Sequence, residues 1–380
     1  MSPILTGVVG TSNKENEHRV PIHPAHLERI PETHRRALRF EKGYGLRFGM
    51  ADDTLAGLCG GLLDRDELLA RCEIVLLPKP VAEDFRALRE GCTLWGWPHC
   101  VQQEEFTQIS IDRKLTLIAW EAMFHWSSGG ARSVHTFYKN NELAGYCGVL
   151  HALEITGIDG HYGRPRKSVV LSYGSVSRGA IYALEGRGFR DLTVFTGRPA
   201  HLVADHKFGA RHLRMRGGRG GTPMEAVLAD GSAVPMIDYL ARADVIVNGT
   251  LQDTDDPRMF VSEDDVRRLK PGCLIVDVSC DLGMGFPFAR PTTFESPTFA
   301  VGSITYYAVD HTPTYLWDAS SWEISEALLP YLTTVMDGPD AWRDDETVRR
   351  SIEIRHGVVK NPKILSFQDR VDAYPHPIRN

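Results

Sequence analysis

Residues 168–180, Ser168-Val169-Val170-Leu171-Ser172-Tyr173-Gly174-Ser175-Val176-Ser177-Arg178-Gly179-Ala180, read as a buried strand, a tight turn and a helix start. A second apolar strand, Leu192 to Thr196, follows soon after. This order builds a nucleotide site: small residues admit a pyrophosphate, and the free N–H groups of the new helix face its charge. Against G-x-G-x-x-G/A, Ser172 stands at the first glycine and Ser177 at the third. Taken alone, such a turn also serves as an ordinary strand-to-helix connection. Its surroundings must decide.

A chain of 380 residues exceeds one ordinary core, so about two domains are expected. Composition is globular, with 42% hydrophobic and 24% charged residues, and the net charge of -6 argues against a nucleic-acid surface. No run reaches the roughly 20 apolar residues of a membrane span. The start, MSPILTGVVGTSNKENEHR, lacks the charged leader and apolar core of a signal peptide, so a cytoplasmic protein is expected. The seven scattered cysteines form no C-x-x-C pair and read as reduced thiols, with no metal site expected.

Strands at 4–9, 37–40, 73–77, 93–95 and 115–120 alternate with charged helical stretches such as 62–71, a pattern that favours a parallel α/β sheet. Residues 144–155 read as a helix, possible as a domain link. A second series follows, with strands at 169–171, 192–195, 245–247 and 274–276. The spacing predicts one helix over 321–332 and a polar, peripheral tail after Asp337. Arg211 to Thr222, RHLRMRGGRGGT, reads as a flexible hairpin in the second domain; RNA binding and closure over a cofactor phosphate are the other readings.

Four polar groups fall where strands end, which is where doubly wound folds bind ligands. Arg19 offers a bidentate clamp for a carboxylate, unless it is a surface arginine in a charged loop. Lys79, between Pro78 and Pro80 after a buried strand, is placed for partial desolvation and acid/base use; an exposed lysine is the plain alternative. His99 titrates near neutrality, or is a satisfied core or surface histidine. Asp277 and Asp281 end a strand of the second half, where an aspartate is often a turn former. The set of four carries the argument. The second strand of the nucleotide half ends Thr196-Gly197-Arg198 with no carboxylate for a ribose 2′-OH, so Arg198 suits the 2′-phosphate of NADP, unless it only caps the turn.

The same segments resemble the superfamily of alanine dehydrogenase, saccharopine dehydrogenase and the N-terminal part of proton-translocating transhydrogenase, over residues 4 to 335. The carriers are Lys14-Glu15-Asn16-Glu17-His18-Arg19-Val20 with Pro24, LREGCTLWGWPH (88–99), AGYCGVLHAL (144–153) and IVNGTLQD (246–253). Within it the chain is most similar to the N5-(carboxyethyl)ornithine synthase branch; Asp310-His311-Thr312-Pro313 is closer to the saccharopine branch. The resemblance implies two Rossmann-like domains with parallel sheets and an active site in the interdomain cleft. The discontinuous substrate domain would take 1–140 and 305–380, the dinucleotide domain 141–304. It implies catalytic Lys79, His99 and Asp281, with substrate on Arg19 and Glu121. Cofactor contacts would come from Gly174, Ser175, Val176, Ser177, Arg198, Asn248, Gly249, Thr250 and Asp281. NADPH is expected over NADH, with a keto acid and an amino acid as substrates and association into homo-oligomers. An amine pocket would draw on Glu121, Phe124, His125, Arg132 and Tyr315. The activity implied is reductive amination of a 2-keto acid by an amino-acid amine. The alternatives are an ammonia-using amino-acid dehydrogenase, a saccharopine-dehydrogenase-like enzyme, and a non-catalytic NADP-binding protein.

Overall fold

Short runs of β-branched and leucine residues between polar helices become strands buried on both faces, as parallel sheets require. The structure, a computed structural model, describes residues 2–198 and 209–379. It divides into two compact units, Met1–Tyr138 with Trp317–Asn380, and Lys139–Leu316. No helix among the described residues is long and apolar enough to cross a membrane, and all seven cysteines are free and buried.

The first unit begins with β1 (Thr6–Val8), β2 (Leu38–Glu41), β3 (Leu62–Leu63), β4 (Ile74–Leu77), β5 (Thr93–Gly96) and β6 (Thr116–Ala119), then a small hairpin of β7 (Phe124–Trp126) and β8 (Arg132–His135). The second unit holds helix α1 (Tyr138–Thr156), β9 (Lys167–Leu171), α2 (Ser175–Gly186), β10 (Asp191–Thr196), β11 (Arg211–Arg216), β12 (Glu225–Val227), β13 (Ala233–Pro235), β14 (Val245–Asn248), β15 (Leu274–Asp277), β16 (Thr298–Val301) and β17 (Ile304–Tyr307). The chain then returns to the first unit with α3 (Trp317–Asp337), β18 (Ile352–Arg355) and β19 (Val358–Val359).

The two sheets repeat one topology. The first runs β19-β18-β6-β5-β4-β1-β2-β3, with β1 to β6 parallel. The second runs β13-β12-β11-β10-β9-β14-β15-β17-β16, with β11-β10-β9-β14-β15-β17 parallel. Numbered within each unit, both parallel sets are ordered 3-2-1-4-5-6, the doubly wound arrangement. The order reverses between β1 and β4 in one sheet and between β9 and β14 in the other. Ligands of such sheets bind beyond the carboxyl ends of the strands at that point.

Three sequence expectations change. The tail after Asp337 is not peripheral: β18 pairs antiparallel with β6, and Trp342, Val348, Ile354 and Ile364 are buried. Its apolar residues come singly or in pairs among charged and polar ones, so no long run marks them. RHLRMRGGRGGT does form a hairpin in the second unit, with β11 pairing antiparallel to β12 across the glycine turn, but it is built into the sheet, since β11 also pairs in parallel with β10 along 193–196. The second boundary lies at 316/317, because β17 pairs with β15 and keeps 305–316 in the second unit, where the sequence placed the break at 304/305.

Candidate functional site

In the first unit, the turns after β1, β4, β5 and β6 converge at the reversal point. Leu77 pairs with Gly96, and a Cβ on Gly96 would stand 2.0 Å from the Leu77 carbonyl oxygen, so only glycine lets these strand ends close. Beyond them Trp97 N donates to Pro78 O at 3.0 Å. The next residues on each strand are thereby brought together: Lys79 Nζ lies 3.0 Å from His99 Nε2. His99 adopts φ 48°, a left-handed turn that swings its ring back over the strand ends. Its backbone N–H donates to Glu121 Oε1 at 2.7 Å, and its Nδ1 is 3.7 Å from the same oxygen. A charged lysine must donate, so Nε2 accepts and the imidazole proton sits on Nδ1, facing Glu121. Lysine and histidine are thus in hydrogen-bond contact, and Glu121 holds the His99 backbone while its charge faces the ring from beyond hydrogen-bond distance.

Glu121 feels the charge of a residue with no sequence signal. Glu353 sits at the irregularity of β18 between Ile352 and Ile354, in the stretch read as a tail. It accepts from Asn361 Nδ2 at 2.8 Å, while one oxygen of each carboxyl, Oε2 of Glu121 and of Glu353, is buried with no hydrogen-bond partner. Burial pushes Glu121 up to about 8, the Glu353 charge adding to it and Lys79 opposing. Burial likewise raises Glu353 to about 7. A carboxyl raised in the fold stays protonated where the open chain has ionised, so stability falls as pH rises from 4.5 towards 8 and the penalty vanishes below that window. Melting temperature followed across this range should decline, and Glu353→Gln should flatten the decline. Equal slopes in both proteins would clear the pair of responsibility.

Arg19 is buried at 4% exposure, lies 5.2 Å over the Trp97 ring, and is already forked onto Glu17: Nε donates to Oε1 at 2.8 Å and Nη2 to Oε2 at 2.5 Å. It is therefore no surface arginine, and two of its donors are already engaged by Glu17. The loop after β1 is fixed by a buried network the sequence did not announce. Glu41 accepts from Gly10 N (2.7 Å), Thr11 N (2.9 Å) and Thr11 Oγ1 (2.6 Å); Arg65 joins Thr11 O and Asp84, each at 2.7 Å. Of the expected amine-pocket residues, Phe124, His125 and Arg132 lie on the β7–β8 hairpin, with Arg132 stacked on Phe124 at 4.6 Å. Tyr315 belongs to the second unit and bonds Glu154.

In the second unit, Ser172 takes φ 88°, the backbone a glycine would adopt more cheaply, and its N–H donates to Phe195 O at 2.8 Å. Gly174 is open: a Cβ there would meet only Ser172 Oγ, at 3.9 Å. Helix α2 then starts with no side-chain cap and no acidic residue in its first turn, leaving the N–H groups of Ser175, Val176 and Ser177 for an anion. Ser177 is tolerated in the third position because Gly249 faces it; a Cβ on Gly249 would stand 2.5 Å from Ser177 Oγ. Asn248, at the end of β14, donates from Nδ2 to Asp277 Oδ1 at 3.0 Å and accepts from Thr250 N at 3.1 Å. Asp277 also accepts from Ser279 N, Cys280 N and the Tyr306 hydroxyl, the last at 2.6 Å, so it is a structural hub and more than a turn former. Burial raises its carboxyl to about 6. Asp281 follows Cys280 (φ 57°) in the turn beyond β15, half-buried. Arg198 is exposed at the end of β10, and among the described residues its backbone N–H is bonded to Thr196 Oγ1. An open glycine turn, an uncapped helix start and no acidic residue at the end of β10 together fit a phosphate-bearing dinucleotide.

Comparison with known proteins matches residues 8–144 to the model of the N-terminal domain of alanine dehydrogenase/PNT, and residues 153–362 to that of its C-terminal domain. The chain belongs to the alanine dehydrogenase/PNT family. Among relatives of this family member, alanine dehydrogenase of Mycobacterium tuberculosis (strain ATCC 25618 / H37Rv) is 26% identical over 348 residues, 88% of each chain. N(5)-(carboxyethyl)ornithine synthase of Clostridium botulinum (strain Hall / ATCC 3502 / NCTC 13319 / Type A) is 24% identical over 334 residues, 83% of this chain and 90% of that one. A solved L-alanine dehydrogenase superposes with a TM-score of 0.73 at 20% identity, covering 95% of this chain and 98% of that one, and so shares its fold.

Proposed function

We propose that this chain joins a 2-keto acid to the amine of an amino acid by reductive amination, with NADPH as reductant. As an alanine dehydrogenase/PNT family member it is an NAD(P)-dependent oxidoreductase acting on amino donors. The observation that carries the reading is the 3.0 Å contact of Lys79 with His99 at the reversal point of the first sheet.

Arg19, held rigid by Glu17, takes the keto-acid carboxylate. The amine attacks the carbonyl carbon, and Lys79 and His99 move the protons that turn the carbonyl oxygen into a departing water. Glu121 positions His99 through its backbone N–H. Asp281 orients the nicotinamide side of the site. The bound nicotinamide supplies the hydride that reduces the resulting iminium carbon. Keto acid, amine, NADPH and a proton are consumed; the secondary amine, water and NADP leave.

An amino-acid donor is supported by a hollow of about 280 Å³ beside Glu17, lined by Lys14, Lys42, Arg47 and Tyr44. With Lys42 paired to Asp64 at 2.9 Å, Lys14 and Arg47 are the cations it offers a second carboxylate, which ammonia does not need. The other reading, an ammonia-using amino-acid dehydrogenase, is favoured by the names of relatives such as the Mycobacterium tuberculosis enzyme. Oxidation of NADPH, and separately NADH, with pyruvate or 2-oxoglutarate against ornithine, lysine and ammonia tests both. Oxidation dependent on an amino-acid amine is expected. Turnover with ammonia alone would make the chain an amino-acid dehydrogenase.

A further inference from the structure

Helix starts and glycine turns account for a pyrophosphate, but not for the arginines gathered at the carboxyl ends of β10 and β11. The loop after β14 is stapled to the turn after β11. Met259 N donates to Gly218 O at 2.7 Å, and Gly220 N donates to Asp256 Oδ1 at 3.1 Å. Gln252 holds Arg258 from both sides, accepting from its N–H at 2.9 Å and donating to its carbonyl at 3.2 Å. Gly218 must be glycine: at φ 78°, a Cβ would stand 2.4 Å from Met224 Cε and 2.7 Å from Met259 O.

This stapling fixes where Arg258 points. Its Nη1 lies 3.7 Å from where a Cβ of Gly197 would be, directly at the turn that ends β10. Arg219 is close enough that its charge, after burial, is the main influence drawing the Arg258 guanidinium below its usual value. Nε of each arginine is buried with no hydrogen-bond partner among the described residues. Arg219 has Asp256 at 3.9 Å, and no ion pair is found for Arg258 among those residues. Two like charges held together, half dehydrated and short of acceptors, are costly unless an anion joins them.

We propose that Arg258 and Arg219 form the receptor for a phosphate on the adenosine 2′-position of the cofactor, with Arg198 at the mouth of the same turn. The inference rests on the nucleotide-binding reading of the second unit. The end of the second strand of a doubly wound sheet is where the adenosine ribose is discriminated, and a guanidinium there takes the place of the carboxylate that a 2′-OH would want. A planar fork matches two phosphate oxygens. The staple holds that fork before the ligand arrives.

Titration of the purified full chain with NADPH and with NADH, followed by nicotinamide fluorescence, tests this without turnover. The wild type should bind NADPH more tightly. Arg258→Gln should weaken NADPH by roughly ten- to a hundredfold and change NADH by less than about twofold, the loss of charge-assisted bonds to one phosphate. Arg219→Gln, on an exposed loop and safe for folding, should repeat the selective loss in milder form. Equal weakening of both nucleotides would place Arg258 at the pyrophosphate and overturn the proposal, as would a wild type without preference. Binding of neither nucleotide to the wild type would overturn the nucleotide reading itself.

Discussion

Lys79→Met and His99→Phe are each expected to cut turnover by roughly 10²–10⁴-fold, the usual span of a lost acid/base group, while NADPH affinity stays unchanged. The separation follows from placement. Both residues lie in the first unit, at the ends of β4 and β5, whereas the open glycine turn and the uncapped helix belong to the second. Lys79→Arg sharpens the test. Arginine keeps the positive charge and can still donate to His99 Nε2, yet it does not release a proton near neutral pH. If Lys79 only held His99 in place, arginine would restore much of the rate; if it transfers a proton, arginine stays as slow as methionine. Steady-state rates and a fluorescence titration on the same preparations decide it. Full activity in both Lys79→Met and His99→Phe would remove this pair from the chemistry.

The alternation of apolar runs with charged helical stretches carried most of the fold, because strands buried on both faces need no subtler signal. The same logic placed Lys79 and His99 at strand ends, two steps from contact. Their meeting was not legible, since it depends on Gly96 closing against the Leu77 carbonyl, a register between strands distant in sequence. Glu353 was invisible for a stronger reason. It reaches Glu121 only because β18 returns to the edge of β6, and nothing in a polar-looking tail marks that return. The burial of Arg19 and its pairing with Glu17 were not legible, because Glu17 two residues away reads as one more surface charge until both are buried. The glycine turn shows the reverse. Measured against the motif it looked weakened at Ser177, but the room a third glycine would give is supplied from across the sheet by Gly249.

Gly179 should prove the most sensitive single position for cofactor binding in the second unit. A Cβ there would stand 1.7 Å from the Glu142 carbonyl oxygen, and one on Gly145 would stand 1.8 Å from that of Val176. The backbones of α1 and α2 therefore touch through a reciprocal pair of glycines, and the obstacles are main-chain atoms that no rotamer change removes. Gly179→Ala gains about 1 kcal/mol of helix propensity. The overlap costs more, about 3 kcal/mol or above, since overpacking a core costs 1–3 even where side chains can yield. The net change is destabilising. Relief requires α2 to move off α1, and the part that moves includes Val176, in the uncapped first turn proposed to receive the cofactor phosphate. Gly179→Ala should thus lower the melting temperature and weaken NADPH and NADH alike, unlike Arg258→Gln. Gly186, at the other end of α2, has nothing within 4 Å of its missing Cβ. Gly186→Ala, at the last helical position, meets a smaller propensity gain without the overlap, so it should raise the melting temperature slightly and leave both affinities alone. Opposite signs from one substitution at two glycines of one helix would isolate the backbone contact as the cause; a neutral Gly179→Ala would show that α1 and α2 do not meet this closely.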